Sequence, residues 1–221
     1  MITRELKAAY YTVFRYPMRV NAFRHRLLSR ERPVMKVQLG PGQKNYISGW
    51  VNVDANFLTA KIDVWADITG KLPFRNETVD AFYSLNMIEH LPDNILAFHF
   101  SEMFRCLKNG GIIRVGGPNA DMAIKKFQEN DRDWFSDFPD KRRSIGGRFV
   151  NFLLCRGEHL TLLTSSYLDE LASDAGFKDI SFCKPAETSY PATIDNRVLS
   201  LEPENTPEAP HVLIMEGRKL I

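Results

Sequence analysis

Cysteine is scarce. Three residues, Cys106, Cys155 and Cys183, lie far apart and form no CxxC pair, which argues against a disulfide framework and a cysteine-based zinc site and leaves reduced, buried thiols as the expectation. Long hydrophobic runs are missing too. No apolar stretch approaches the ~20 residues that span a bilayer, and the first residues lack the uninterrupted apolar core of a signal peptide. A cytoplasmic protein is expected on these grounds. The net charge is small, +2, and no Arg/Lys cluster marks a groove for nucleic acid, which is therefore not an expected partner.

What is present fits one globular domain: 221 residues, 44% hydrophobic and 25% charged, enough to bury a sizeable core. Charge is unevenly spread. In residues 1–32, Arg4, Lys7, Arg15, Arg19, Arg24, Arg26, Arg30 and Arg32 stand against Glu5 and Glu31 alone. Leu6, Tyr10, Tyr11, Val13, Phe14, Tyr16, Val20, Phe23, Leu27 and Leu28 are interleaved with those cations at helical spacings, broken near Pro17. Two readings fit this basic amphipathic segment. One is an interfacial anchor to an anionic membrane surface, making the protein peripheral to the inner face of the membrane; the other is a leading helix packed on the domain with a solvated basic face.

Residues 33–221 read as a βα alternation. VMKVQL is a short β-rich run followed at once by Gly40, Pro41 and Gly42; WVNVD ends at Asp54; IDVWADI contains Asp67; VDAFYSL runs to Leu85. A helix is expected from Pro92 to Leu107, stopped by a left-handed cap at Asn109, Gly110 and Gly111. IIRVGGP supplies a fifth strand, SSYLDELASDAGF a helix closed by Gly176, and KDISFC and HVLIMEGRKL two closing strands. A glycine loop after a strand, with an acid after each of the next two, points to a nucleotide held along one edge of a parallel sheet. The dinucleotide fingerprint is incomplete, because Asn45 stands where its third glycine belongs and only twelve residues separate Gly42 from Asp54. A nicotinamide-dependent oxidoreductase fails on both counts, and the first helix must be short.

Together, LGPG, GWVNVD, the DI before LPF, NMIEHL, LKNGG and the late AGF resemble the class I S-adenosylmethionine-dependent methyltransferases, and within them the small enzymes of glycan-biosynthesis clusters. The resemblance covers residues 34–221. It implies an α/β fold, a Rossmann-like seven-stranded and mostly parallel sheet with an antiparallel last strand and helices on both faces. It implies S-adenosyl-L-methionine as cofactor and S-adenosyl-L-homocysteine as product. Backbone at Gly40, Pro41 and Gly42 then approaches the methionyl part, Asp54 takes the ribose hydroxyls, and Asp67 with Ile68 reads the adenine. Leu85 and Asn86 meet the methionyl ammonium and the transferred methyl, and His90 lies under the cofactor. Each acid has an alternative as a turn cap, and His90 as a packing residue.

The acceptor side is carried by residues 119–163, a substrate-side insertion or lid. Trp134, Phe135, Phe138, Phe149 and Phe152 lie there beside Lys141, Arg142, Arg143, Arg148 and Arg156. They suit a charged sugar, or else a closed helical lid with solvated cations. His159 is the candidate general base, since a near-neutral imidazole suits removal of a hydroxyl proton. No repeated His/Asp/Glu pattern marks a metal-dependent, catechol-type enzyme, so no metal site is expected. The NPPY-like tetrapeptide of amino-group methyltransferases is missing after strand four, which leaves O-methylation of a sugar, glycan or related metabolite as the expected activity. The alternative is a non-catalytic, methyltransferase-like binding module in a biosynthetic complex. Pro185 to Pro210 reads as a long loop before the last strand, an edge flap or a dimer contact.

Overall fold

The computed structural model describes residues 4–28 and 33–221; Arg30, Arg32 and the expected boundary at residue 32 lie outside them. One seven-stranded sheet has the order β3-β2-β1-β4-β5-β7-β6. Its strands are β1 (Lys36–Leu39), β2 (Val51–Asp54), β3 (Val64–Trp65), β4 (Val79–Leu85), β5 (Leu107–Pro118), β6 (Lys178–Cys183) and β7 (Val212–Arg218). β1 pairs in parallel with β2 and with β4, and β7 lies antiparallel between β5 and β6. The expected fold class is the one observed. The chain reverses direction across the sheet between β1 and β4, so their carboxyl ends open the crevice where α/β folds bind ligands.

Alternation along the strands sorts residues between two faces. Val37, Leu39, Val53, Phe82, Val115 and Met215 point to the first face, where α2 (Asp93–Cys106) and α5 (Ser165–Ala175) cover them with Leu96, Phe100, Met103, Leu168 and Leu171. Thr164 caps α5 by accepting the Tyr167 N–H, and Gly176 closes it at φ +102°, as the sequence indicates. The second face is more polar. Ala81, Tyr83 and Ile112 pack there against Ile47, Trp50, Ile194 and Val198, the last from the four-residue helix α6 (Asn196–Leu199). Residues 185–210 therefore cover this face rather than standing off as a flap.

Arg114 of β5 points into that face and is fully buried, at 0% exposure. It pairs with Glu202 and with Glu216 of β7, each at 2.6 Å. Removing three charges from water is costly, and the bidentate pairing with Glu202, at 2.8 and 2.6 Å, compensates for it.

Four local expectations are corrected. No helix forms between β1 and β2: residues 41–50 make turns, held down because buried Asn52 bonds the Ile47 N–H, the Ile47 carbonyl and the Trp50 carbonyl, each at 3.0 Å. The strand read across IDVWADI shrinks to Val64–Trp65, because its outer edge meets the N-terminal helix and Asn21 Nδ2 bonds the Trp65 carbonyl at 2.8 Å. α2 ends at Cys106, since Leu107 is already extended and pairs with Val79; Asn109 to Gly111 form an irregularity in β5 rather than a helix cap. Pro17 does not break α1 (Arg4–Leu28), which runs continuously through it.

α1 packs on the domain through Tyr10, Phe14, Met18, Ala22 and His25. Met18 and Ala22 are buried. Phe14 meets Trp65 at 5.8 Å between ring centroids, and His25 bonds the Pro73 carbonyl at 2.8 Å. The opposite face leaves Leu6, Val13, Tyr16, Val20, Phe23 and Leu27 exposed, a spacing of three and four residues that forms one stripe.

Candidate functional site

The crevice is built from the carboxyl ends of β1, β2, β3 and β4. Gly40 leaves β1 at φ +72°, and its N–H donates to the Val53 carbonyl at 2.9 Å. A Cβ here would stand 2.4 Å from Met87 Cγ, so the loop and the turn after β4 touch only because residue 40 has no side chain. Pro41 is buried. Gly42, at φ +57°, has open space where a Cβ would stand.

Asp54, at the end of β2, holds this loop: its Oδ2 accepts the Gly42 N–H at 3.1 Å and its Oδ1 the Asn56 N–H at 2.8 Å. Burial raises its carboxyl above the usual range, against those backbone bonds. One strand further out, Asp67 is 3% exposed. Its Oδ1 accepts the Thr69 N–H at 3.0 Å and the Thr69 hydroxyl at 2.6 Å. Its Oδ2 is buried without a hydrogen-bond partner, with Arg15 Nε 3.4 Å away. An acceptor atom left so is what an exocyclic amino group would satisfy. Ile68 follows, its carbonyl bonded to His99 Nδ1 at 3.2 Å. Tyr11 of α1 feels the charge of both acids, and burial followed by those charges pushes its hydroxyl up to about 12.

At the end of β4, Leu85 turns its side chain to the second face. Asn86 is exposed at φ +52°, and its N–H donates to the Gly116 carbonyl at 2.9 Å. A non-glycine residue in that region is strained, a feature that clusters at ligand sites. His90 and His159, predicted for cofactor and acceptor respectively, come together: their rings lie 5.1 Å apart. Buried Glu89 stands between them, its Oε1 3.8 Å from His90 Nε2 and 3.9 Å from His159 Nε2. Burial pushes the Glu89 carboxyl up to about 8 and the His159 imidazole down.

No metal-ligating pattern is expected from the sequence, yet the fold brings three possible ligand atoms, one each from Glu89, His90 and His159, within 4.8 Å of one another. Glu89, Tyr11 and Arg15 were missed. Glu89 had a signal: the dipeptide Glu-His occurs twice, at 89–90 and at 158–159. Tyr11 and Arg15 had none, since nothing local says where α1 docks.

The aromatics of residues 119–163 split. Trp134, Phe135, Phe149 and Phe152 form a third apolar cluster with α3 (Ala120–Gln128) and α4 (Ile145–Leu154), and Trp134 stacks on His211 at 4.3 Å. They are a small core, not a sugar platform. Phe138 stays exposed. Arg148 is buried on the Phe135 carbonyl at 2.6 Å, and Arg156 pairs with Asp140. A cleft of about 540 Å³ lined by Asp140, Arg142, Gly147, Asn151, Arg156 and others opens beside α4.

Comparison with known proteins agrees with this fold. Residues 38–115 match the family described as "Methyltransferase domain". No curated protein matches the sequence. Among solved structures, an S-adenosylmethionine-dependent methyltransferase of Thermotoga maritima, a possible histamine N-methyltransferase, is similar at TM-score 0.52 and 15% identity over 97% of this chain and 95% of its own. One from Archaeoglobus fulgidus matches at 0.51 and 16%, over 95% and 100%. Phosphoethanolamine N-methyltransferase 2 of Haemonchus contortus, in complex with S-adenosyl-L-methionine, matches at 0.51 and 13%, over 99% and 58%. At these identities the likeness shows the fold. S-adenosylmethionine is the molecule bound in the Haemonchus structure.

Proposed function

We propose that this chain is an S-adenosylmethionine-dependent methyltransferase acting on an oxygen of a sugar, glycan or related metabolite. The observation that carries the cofactor reading is the buried Oδ2 of Asp67, one strand beyond Asp54, which accepts no hydrogen bond and has Arg15 Nε 3.4 Å away. Asp67 with the Ile68 backbone would hold the adenine and Asp54 the ribose diol. Gly40, Pro41, Gly42, Leu85 and Asn86 would hold the methionyl end through backbone, and Tyr11 would flank the nucleoside. Bound there, the cofactor supplies a methyl group on a sulfonium, a good leaving group, so that orientation and exclusion of water supply much of the acceleration.

Oxygen is favoured because a hydroxyl must lose a proton where a neutral amine need not. In the metal-free protein, His159 Nε2 would receive it, a reading supported by its Nδ1 being committed to the Leu153 carbonyl at 2.8 Å. A non-catalytic binding module is the second reading. It is favoured by the missing helix after β1 and by Arg15 standing on Asp67.

Residues 1–32 are proposed to act in two ways. One face of α1 belongs to the domain, and the exposed stripe of Val13, Val20, Phe23 and Leu27, bordered by Arg19 and Arg24, fits an anionic lipid surface. No helix among the described residues is long and apolar enough to cross a membrane.

The test is calorimetric titration of the purified protein with S-adenosylmethionine and S-adenosylhomocysteine, alongside Asp54→Ala and Asp67→Ala. Micromolar binding that falls at least tenfold in each variant supports the cofactor site and opens a screen of hydroxyl acceptors. Folded protein that binds neither ligand at millimolar concentration overturns the enzyme reading in favour of the binding module.

A further inference from the structure

We propose that Glu89, His90 and His159 form a binding site for one divalent transition-metal ion. The tautomers follow from the hydrogen bonds. His90 Nδ1 lies 2.9 Å from the Glu158 carbonyl and His159 Nδ1 2.8 Å from the Leu153 carbonyl. A carbonyl can only accept, so each Nδ1 carries a hydrogen, and each ring turns its Nε2 toward Glu89. Imidazoles held through Nδ1 by backbone carbonyls, with Nε2 converging on a carboxylate, are how proteins orient metal ligands.

The carboxylate provides an independent observation. Glu89 is 2% exposed, and its Oε2 is buried without a hydrogen-bond partner. It lies against β5, where a Cβ on Gly117 would stand 3.0 Å from Oε2. Glu89 thus turns Oε1 toward the two imidazoles while its buried Oε2 has no hydrogen-bond partner, and a cation held by the carboxylate offsets that deficit.

The cluster is also built to hold its shape. The Leu160 and Thr161 N–H groups both donate to the Glu89 carbonyl, at 2.8 and 3.1 Å. The Thr161 hydroxyl donates to the Leu91 carbonyl at 2.7 Å. Two chain segments some seventy residues apart are thereby stitched together on either side of the ligand atoms. A tetrahedral ion with bonds of about 2.1 Å needs ligand atoms about 3.4 Å apart. The observed 3.8 and 3.9 Å reach that by side-chain rotation of about half an ångström.

Two imidazoles and one carboxylate suit Zn²⁺, Co²⁺, Fe²⁺ or Mn²⁺ rather than Mg²⁺ or Ca²⁺, which favour all-oxygen sets. The His90 side chain is 41% exposed, so the site has a way in and room for a further ligand. The site itself does not rest on the methyltransferase reading, but its role does. An ion here would acidify an acceptor hydroxyl, doing what the metal-free protein leaves to His159.

The experiment uses the full chain, stripped with chelator and desalted. Zn²⁺ is titrated by calorimetry and Co²⁺ by its visible absorption, with thermal melting in parallel, for the parent, Glu89→Gln, His159→Asn and His90→Ala. One equivalent is expected to bind, raising the melting temperature and giving a Co²⁺ spectrum with nitrogen ligands. Each variant is expected to bind at least tenfold more weakly. His90→Ala, at an exposed position, keeps the test decisive if a buried variant fails to fold. Absence of saturable binding to the folded parent, or equal affinity in all the folded variants, overturns the site. S-adenosylmethionine titrated into the same samples separates the two ideas. Cofactor binding without metal binding overturns only the metal site, and metal binding without cofactor binding supports it while overturning the methyltransferase reading.

Discussion

Arg15 Nε of the N-terminal helix stands 3.4 Å from Oδ2 of Asp67 in the sheet crevice. With Tyr10 bonded to the Ala55 carbonyl at 2.5 Å and Asn21 bonded to Trp65, this contact makes α1 part of the fold, not an appendage. Removal of residues 1–28 is expected to uncover Trp65 and Phe74 and to cost several kcal/mol, since each large apolar side chain buried contributes about 1.5–3 kcal/mol. Urea unfolding of the truncated and full chains checks this. Equal midpoints would show that α1 is dispensable.

For the same reason, lipid contact is better tested by point variants than by deletion. Val20→Glu combined with Phe23→Glu alters only the exposed stripe. The double variant is expected to leave melting within about 2 °C of the parent, surface changes being nearly neutral. It is also expected to abolish cosedimentation with vesicles containing phosphatidylserine. Retained binding by the variant, or none by the parent, would refute the lipid contact.

Gly40→Ala places a methyl group 2.4 Å from Met87 Cγ at a φ of +72°. The loop and the turn after β4 must separate, so cofactor affinity is expected to fall at least tenfold and stability by about 1–3 kcal/mol. Gly42→Ala meets no atom within 4 Å and is expected to cost only its backbone strain, about 1 kcal/mol. Calorimetry and denaturant melts on the pair check the difference.

Arg114→Met leaves Glu202 and Glu216 buried without their cation. The cost is expected to be about 3–5 kcal/mol at neutral pH. It should shrink toward pH 4 as Glu216, whose carboxyl is held, against burial, below the usual range by Thr188, Ser189 and Arg114, takes up a proton. Urea titrations at the two pH values test this, and a loss that is independent of pH would point to packing alone.

His99 is fully buried, and burial holds its imidazole down to about 4, with the Ile68 carbonyl and the charge of Glu102 opposing. The folded value lies below the ordinary 6.5, so the unfolded chain binds more protons between the two. The stabilising contribution is therefore complete above about pH 6.5 and lost as pH falls toward 4. Between pH 7 and 5 the parent is expected to lose about 2 kcal/mol more than His99→Leu. Identical slopes would show that His99 does not titrate in this way.

Local pattern told most about elements with an unambiguous period or stop. β4 and β6 have the very bounds of VDAFYSL and KDISFC, and α5 ends at Gly176, because strand alternation and a left-handed cap are properties of neighbouring residues. The errors fell where distant partners decide. Asn52 replaces a helix by pinning a loop, Leu107 leaves α2 to pair with Val79, and the aromatics after Asn119 pack on one another instead of presenting faces.

Thus the sequence by itself determined the strand–loop punctuation, the acids at Asp54 and Asp67 and the glycines between β1 and β2, since their spacing and conformational freedom are written in adjacent residues. The tertiary structure alone decided that Glu89, His90 and His159 meet, that Arg15 reaches Asp67, and that one face of α1 is buried while the other is bare. Those relations depend on segments far apart in the chain packing against the same sheet, and no local spacing encodes a distance across it.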